Sequence, residues 1–180
     1  MALSVDEDEW PSGGYGLPKP RSGCPGDKED GWHEGWRFQD MEDTVTQYSS
    51  TASSGIHMDL KFTYLNLRRD KDVNRTFCIK RKIGKQTKFW PNGSYCIYEA
   101  NPCPINMISG WVRWDDEDDF NANKKGGLLP DGSYNKDTMI HYCCQNSGNW
   151  HDSIELPVSR PFYLLSSNSV REPKCQMVKW

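Results

Sequence analysis

Thr138-Met139-Ile140-His141-Tyr142-Cys143-Cys144 is the stretch on which the reading of this chain turns. It holds β-branched and aromatic residues with no Gly or Pro, so it predicts an extended strand. Side chains on a strand alternate between its faces, which puts His141 and Cys143 on one side and Cys144 on the other. Two adjacent thiols on opposite faces suit two separate disulfides better than one nucleophile. The remaining cysteines, Cys24, Cys78, Cys96, Cys103 and Cys175, lie on separate segments. Scattered cysteines in a loop-rich chain read as a disulfide framework and an oxidising compartment. With seven thiols, three bridges leave one over, and the spacings do not choose the pairs.

Working outward, Ile56, Met58, Leu60, Phe62 and Tyr64 alternate with mostly polar or small residues, the pattern of a half-buried strand. Further short runs at 76–83, 94–99, 110–115, 153–156, 161–166 and 175–180 bring the expected strands to eight. Turn signals separate them. Pro11-Ser12-Gly13-Gly14-Tyr15, Pro91-Asn92-Gly93-Ser94-Tyr95 and Pro130-Asp131-Gly132-Ser133-Tyr134 share one form. In it Pro presets a turn, Gly accepts a positive φ and the aromatic enters a strand. The bland reading is three tight turns, and the sharper one is a repeated ligand-facing tyrosine. The fold class expected is all-β, a disulfide-braced antiparallel sandwich or barrel-like domain. One domain over 1–180 is expected, with the Gly/Pro-rich segment 1–35 wrapping the core. Phe38, Met41, Val45 and Tyr48 fall at helical spacing, leaving a short helix or a loop there.

Composition sets the outer limits. The 180 residues are only 36% hydrophobic, with a mean hydropathy of −0.83, yet aromatics make up 12%, too many for a disordered chain. The 15 Gly and 11 Pro spread along the sequence argue against a helical bundle. No run approaches the length of apolar residues that a membrane-spanning helix needs. A net charge of −3 gives no reason to expect nucleic acid. Met1-Ala2-Leu3-Ser4-Val5 leads into Asp6-Glu7-Asp8-Glu9 without the pattern of a secretory signal. The cysteine framework makes a secreted or cell-surface mature domain the expectation, and the missing signal pattern keeps a cytoplasmic chain of reduced thiols as the alternative. Asn74-Arg75-Thr76 and Asn92-Gly93-Ser94 are glycosylation triplets, making Asn74 and Asn92 the candidate acceptors.

The loudest chemical feature is Trp114-Asp115-Asp116-Glu117-Asp118-Asp119-Phe120-Asn121-Ala122-Asn123. Consecutive carboxylates repel unless solvated or bridged by a cation. Oxygen-rich loops suit Ca²⁺, so Asp115, Asp116, Asp118, Asn121 and Asn123 are candidate ligands, although the EF-hand spacing is absent. The alternative is a solvated loop, or one paired with Lys124, Lys125 and the basic run Lys80-Arg81-Lys82. Zinc spacings, phosphate-binding glycine loops and nucleophile elbows are missing, and the sequence does not read as an enzyme. Eight tryptophans are many for this length. Trp90, Trp114 and Trp150 sit beside turns among polar residues, where an indole offers an apolar platform rimmed by hydrogen-bonding groups. Sugar rings fit that arrangement.

Several stretches together carry a resemblance. They are Trp10-Pro11-x-Gly13-x-Tyr15-Gly16-Leu17-Pro18, Gly23-Cys24-Pro25, Gly35-x-Arg37-x-Gln39-Asp40 and Phe77-Cys78-Ile79-Lys80. Trp90-Pro91-x-Gly93-x-Tyr95-Cys96-Ile97-Tyr98, Gly110-x-Val112-x-Trp114-Asp115-Asp116-Glu117-Asp118, Tyr142-Cys143-Cys144 and Cys175-Gln176-x-Val178 continue the series. The chain resembles the apextrin C-terminal domain, ApeC, of apextrin-like proteins from marine invertebrates. The resemblance implies an innate-immunity pattern-recognition module that binds bacterial peptidoglycan or its muramyl dipeptide without catalysis. It also implies two contexts, a pore-forming domain in a longer chain or a signalling adaptor inside cells. An intracellular interaction module and an adhesion or extracellular-matrix module are the alternatives. By residue chemistry, Trp114 would stack on a sugar face and Arg113 would pair with a muramyl or peptide carboxylate. Asp116, Asp118, Asn121 and Asn123 would accept hydroxyl hydrogen bonds or hold Ca²⁺, with Trp90 and Trp150 as further platforms.

Overall fold

The computed structural model describes residues 10–41, 61–65, 70–81, 88–167 and 175–179. Val45 and Tyr48 of the helical spacing, and Ile56, Met58 and Leu60 of the alternating run, lie outside them. Among the described residues none is helical. Phe38 belongs instead to a strand and Met41 to an isolated bridge with Asp116.

Ten strands form one antiparallel sheet. Its main path runs β6 (Ile108–Trp114), β9 (Thr138–Asn146), β5 (Ser94–Glu99), β1 (Tyr15–Pro18), β4 (Asp70–Lys80), β2 (Trp32–Gln39) and β7 (Lys124–Gly127). Beside this path, β3 (Lys61–Leu65) pairs with β4, β8 (Gly132–Tyr134) with β9 and β11 (Leu165–Ser166) with β5. A separate parallel pair joins β10 (Ile154–Glu155) to β12 (Val178–Lys179). The all-β, disulfide-braced expectation is met by a single curled sheet. Its two end strands, β6 and β7, are consecutive in the chain, and the acidic segment 115–123 joins them. The curl is close enough for Arg37 on β2 to donate from Nε to Thr138 Oγ1 on β9 at 2.9 Å.

Both faces of the central strands are buried. On the outer, convex face, Tyr15, Leu17, Trp32, Cys78, Tyr95, Ile97 and Cys143 pack against Trp10, Trp90, Ile154 and Leu156. Inside the curl lie Phe77, Ile79, Tyr98, Tyr134 and Ile140. The described part of segment 1–35 helps to build this core and does not merely wrap it. β1 is an interior strand, and Trp10, Tyr15, Leu17 and Trp32 are core residues.

Three disulfides brace the sheet, Cys24–Cys78, Cys96–Cys144 and Cys103–Cys143. Cys143 and Cys144 serve separate bridges, as the alternation requires. Cys96 and Cys144 are direct cross-strand partners. Cys175 is the free cysteine and is exposed. The three Pro-x-Gly-x-Tyr segments share one closure. Tyr15, Tyr95 and Tyr134 each donate their hydroxyl to the proline carbonyl four residues back, Pro11, Pro91 and Pro130, at 2.9, 2.5 and 3.0 Å. All three tyrosines are buried, so they are turn clasps and do not face a ligand.

Candidate functional site

The acidic segment joins the two end strands, and the polar side chains of Asp116, Asn121 and Asn123 are spent on holding it there. Asp116 is fully buried. Its Oδ2 accepts from Thr138 Oγ1 at 2.6 Å, Asn123 Nδ2 at 2.9 Å and Arg37 Nη2 at 3.3 Å, and its Oδ1 accepts from Gln39 Nε2 at 3.0 Å. A buried carboxylate is tolerated on such terms, with a cation and several donors around it. Asn123 Oδ1 accepts from the Asp40 amide at 2.8 Å, and Asn121 Nδ2 donates to the carbonyls of Glu117 and Lys136. Asp118 is exposed and pairs with Lys136.

Several sequence expectations change as a result. Asp116 has no surface to offer a ligand, and Asn121 and Asn123 hold the loop in shape. Among the described residues, Arg37 and Lys136 are the cations that pair with carboxylates of this segment; Lys82 of the basic run lies outside the described residues. Trp114 is half-buried against the inner core, and the Arg75 guanidinium lies 4.3 Å from its ring centre. Trp90 is a core residue at 5% exposure, in edge contact with Tyr15, and is no platform. Trp150 is half-buried beside His151. Asn92 is exposed on its turn, whereas Asn74 is half-buried in the interior of β4, paired on both sides.

Among the described residues, the one grouping of metal-type side chains is Glu99, Cys103 and Cys143. Two of its members are bonded to each other, so it offers no thiolate. The same bridge removes Cys143 as a nucleophile beside His141.

The exposed chemistry lies on the face of β6 opposite Trp114. Residues 111 and 114 are three apart on β6, so their side chains point to opposite faces. Trp114 takes the inner face, and Trp111 stands outward at 62% exposure. Its cross-strand partner is His141. On the same face, Ser109 Oγ donates to Glu99 Oε2 at 2.7 Å, and His141 Nδ1 lies 3.8 Å from that carboxylate oxygen. The serine proton is thus directed to Glu99 and not to the imidazole, which is not the geometry of an activated hydroxyl nucleophile. Arg113, the next outward residue of β6, forks onto Asp137 with Nε–Oδ2 at 3.0 Å. That pair raises the Arg113 pKa and lowers that of Asp137.

The patch is therefore an indole platform flanked by a carboxylate, an imidazole, a hydroxyl and a guanidinium, all fixed by cross-strand register. Of the residues expected from sequence, only Arg113 belongs to it. Trp111, Ser109, Glu99 and His141 were missed as a set. The parity of Trp111 against Trp114 was the available signal, since two tryptophans of opposite parity cannot both face inward.

In comparisons with known proteins, the ApeC family, the C-terminal domain of apextrin, matches residues 10–180. No curated protein and no solved structure matches.

Proposed function

This chain belongs to the ApeC family, and from that membership we propose a secreted or cell-surface module that binds bacterial peptidoglycan or its muramyl peptides without turnover. The observation that carries the reading is the outward Trp111, set among Glu99, Ser109, His141 and Arg113. Trp111 stacks on a sugar or peptide face. Ser109, His141 and Glu99 exchange hydrogen bonds with hydroxyl and amide groups around its rim. Arg113 takes a lactyl or peptide carboxylate, trading its bond to the half-buried Asp137 for one to the ligand. A shallow open patch of this kind binds weakly at one site, and a repeating polymer supplies useful strength by avidity. Three disulfides support an oxidising location.

Sedimentation with insoluble peptidoglycan, with and without EDTA, tests this. We expect wild type to sediment under both conditions, because neither Trp111 nor Arg113 needs a cation. Trp111→Ala and Arg113→Ala should weaken sedimentation while moving the thermal midpoint by no more than a few degrees, as exposed substitutions do. Loss in EDTA would instead return a cation to the site. Failure of wild type to sediment at all would remove the cell-wall reading, and release of soluble fragments would remove the claim of no turnover.

A further inference from the structure

We propose a second glycan-binding cleft, centred on Trp36, on the outer side of β2, β4 and β7. The inference rests on the reading of this domain as a glycan binder, but on separate residues. A cleft of about 460 Å³ lies there, within the range of small-ligand sites. Trp36 is 38% exposed and forms one wall. Its cross-strand neighbour is Gly126, where a Cβ would come within 2.6 Å of the indole Nε1. The bare glycine backbone therefore seats the ring and fixes its orientation, so little freedom is lost when a sugar stacks on it. Lys19 and Glu34, joined at 2.7 Å, supply a charged donor and acceptor on the rim. Asn74 and Thr76 line the cleft from β4. The Asn74 side-chain oxygen Oδ1 is buried and has no hydrogen-bond partner among the described residues, a costly state that a reoriented amide bonding to a ligand relieves.

An aromatic wall with an amide, a hydroxyl and an ion pair around it suits a pyranose ring carrying hydroxyl or acetamido groups. This also reassigns the triplet Asn74-Arg75-Thr76. Its asparagine and threonine face the cleft together, as residues i and i+2 of one strand, and serve as ligand contacts in place of a glycan attachment point. In the sheet order, β9, β5, β1 and β4 separate β6, which carries Trp111, from β2, which carries Trp36. The two tryptophans thus stand on different strands and share no lining residue.

The test is titration of the indole N–H resonances with a soluble disaccharide–peptide fragment of peptidoglycan, the Trp36 and Trp111 signals being assigned by Trp→Phe variants. Both signals should move in wild type, and the Trp36 signal should still move in Trp111→Ala. Gly126→Ala, which displaces the indole without deleting it, should weaken the Trp36 response about tenfold, the scale of one lost aromatic contact. A Trp36 signal that stays still while Trp111 moves would overturn the cleft and leave the Trp111 site standing. If neither moves, both readings fall. A glycan found on Asn74 in protein from a secreting host would also overturn the proposal, because it would fill the cleft.

Discussion

Asp116 shows how position changes the meaning of a residue. In sequence it is one of five consecutive acidic residues, and in the fold it is the buried acceptor for Arg37, Gln39, Asn123 and Thr138. Removing one partner of a buried ion pair leaves the other charge uncompensated. Asp116→Ala should therefore cost about 3–5 kcal/mol, read as a fall in the urea midpoint. Asp118→Ala, which breaks only an exposed pair with Lys136, should cost under about 1 kcal/mol. Equal losses at the two positions would refute the buried-hub account. Loss of peptidoglycan binding in an Asp116 variant would accordingly report on folding and not on a contact.

At the scale of elements, the three proline–tyrosine clasps are the clearest case of local sequence specifying local structure. Each tyrosine ring fills the core while its hydroxyl satisfies the carbonyl of the proline that opens the turn. Tyr15→Phe and Tyr134→Phe keep the ring and delete that bond, and each should lower stability by about 1 kcal/mol, somewhat more if the carbonyl stays dry. Chemical denaturation of the single variants and of the pair checks this, and the sites lie on different turns, so the losses should add. β2 is the opposite case. The residues it turns inside the curl are His33, Gly35, Arg37 and Gln39, and the last two are almost fully buried. An alternation of apolar and polar residues cannot reveal a strand whose inner face is polar. β7, Lys-Lys-Gly-Gly, is hidden for another reason, because its glycines are needed where β2 and β7 approach closely. A Cβ on Gly127 would lie 2.2 Å from the Glu34 carbonyl oxygen.

At the scale of the molecule, burial of phenols makes the fold sensitive to alkali. The Tyr98 pKa is pushed up to about 12, mainly by burial, and burial also raises those of Tyr15, Tyr95, Tyr134 and Tyr142. A raised phenol pKa means that the folded chain holds protons that the unfolded chain releases near the ordinary value of 10.0. This contribution is fully present below that value and is lost as pH rises through the folded pKa values. Stability should fall steadily above about pH 10, with the phenolate absorbance of these five tyrosines rising together with unfolding and not before it. Full phenolate absorbance from a still-folded chain would contradict the assignment. The disulfide framework makes a second prediction. Thiol titration of unfolded, unreduced protein should find one thiol, Cys175, whereas seven would place the chain in a reducing compartment.

Composition, alternation and the turn motifs determined by themselves that this chain is a β protein, and the parity of Cys143 and Cys144 determined that their side chains leave the strand on opposite faces, so that no one partner serves both. These features are local, because alternation and turn chemistry are set within a few residues. Only the tertiary structure decided which acidic residue is buried, which tryptophan is a platform and which cations meet the 115–123 segment. Each of those depends on the curl that carries β2 across to β9, a contact between residues 101 positions apart. Trp111 and Trp114 are chemically identical until that curl gives the sheet an inside. One indole then packs under Arg75, and the other is left facing solvent.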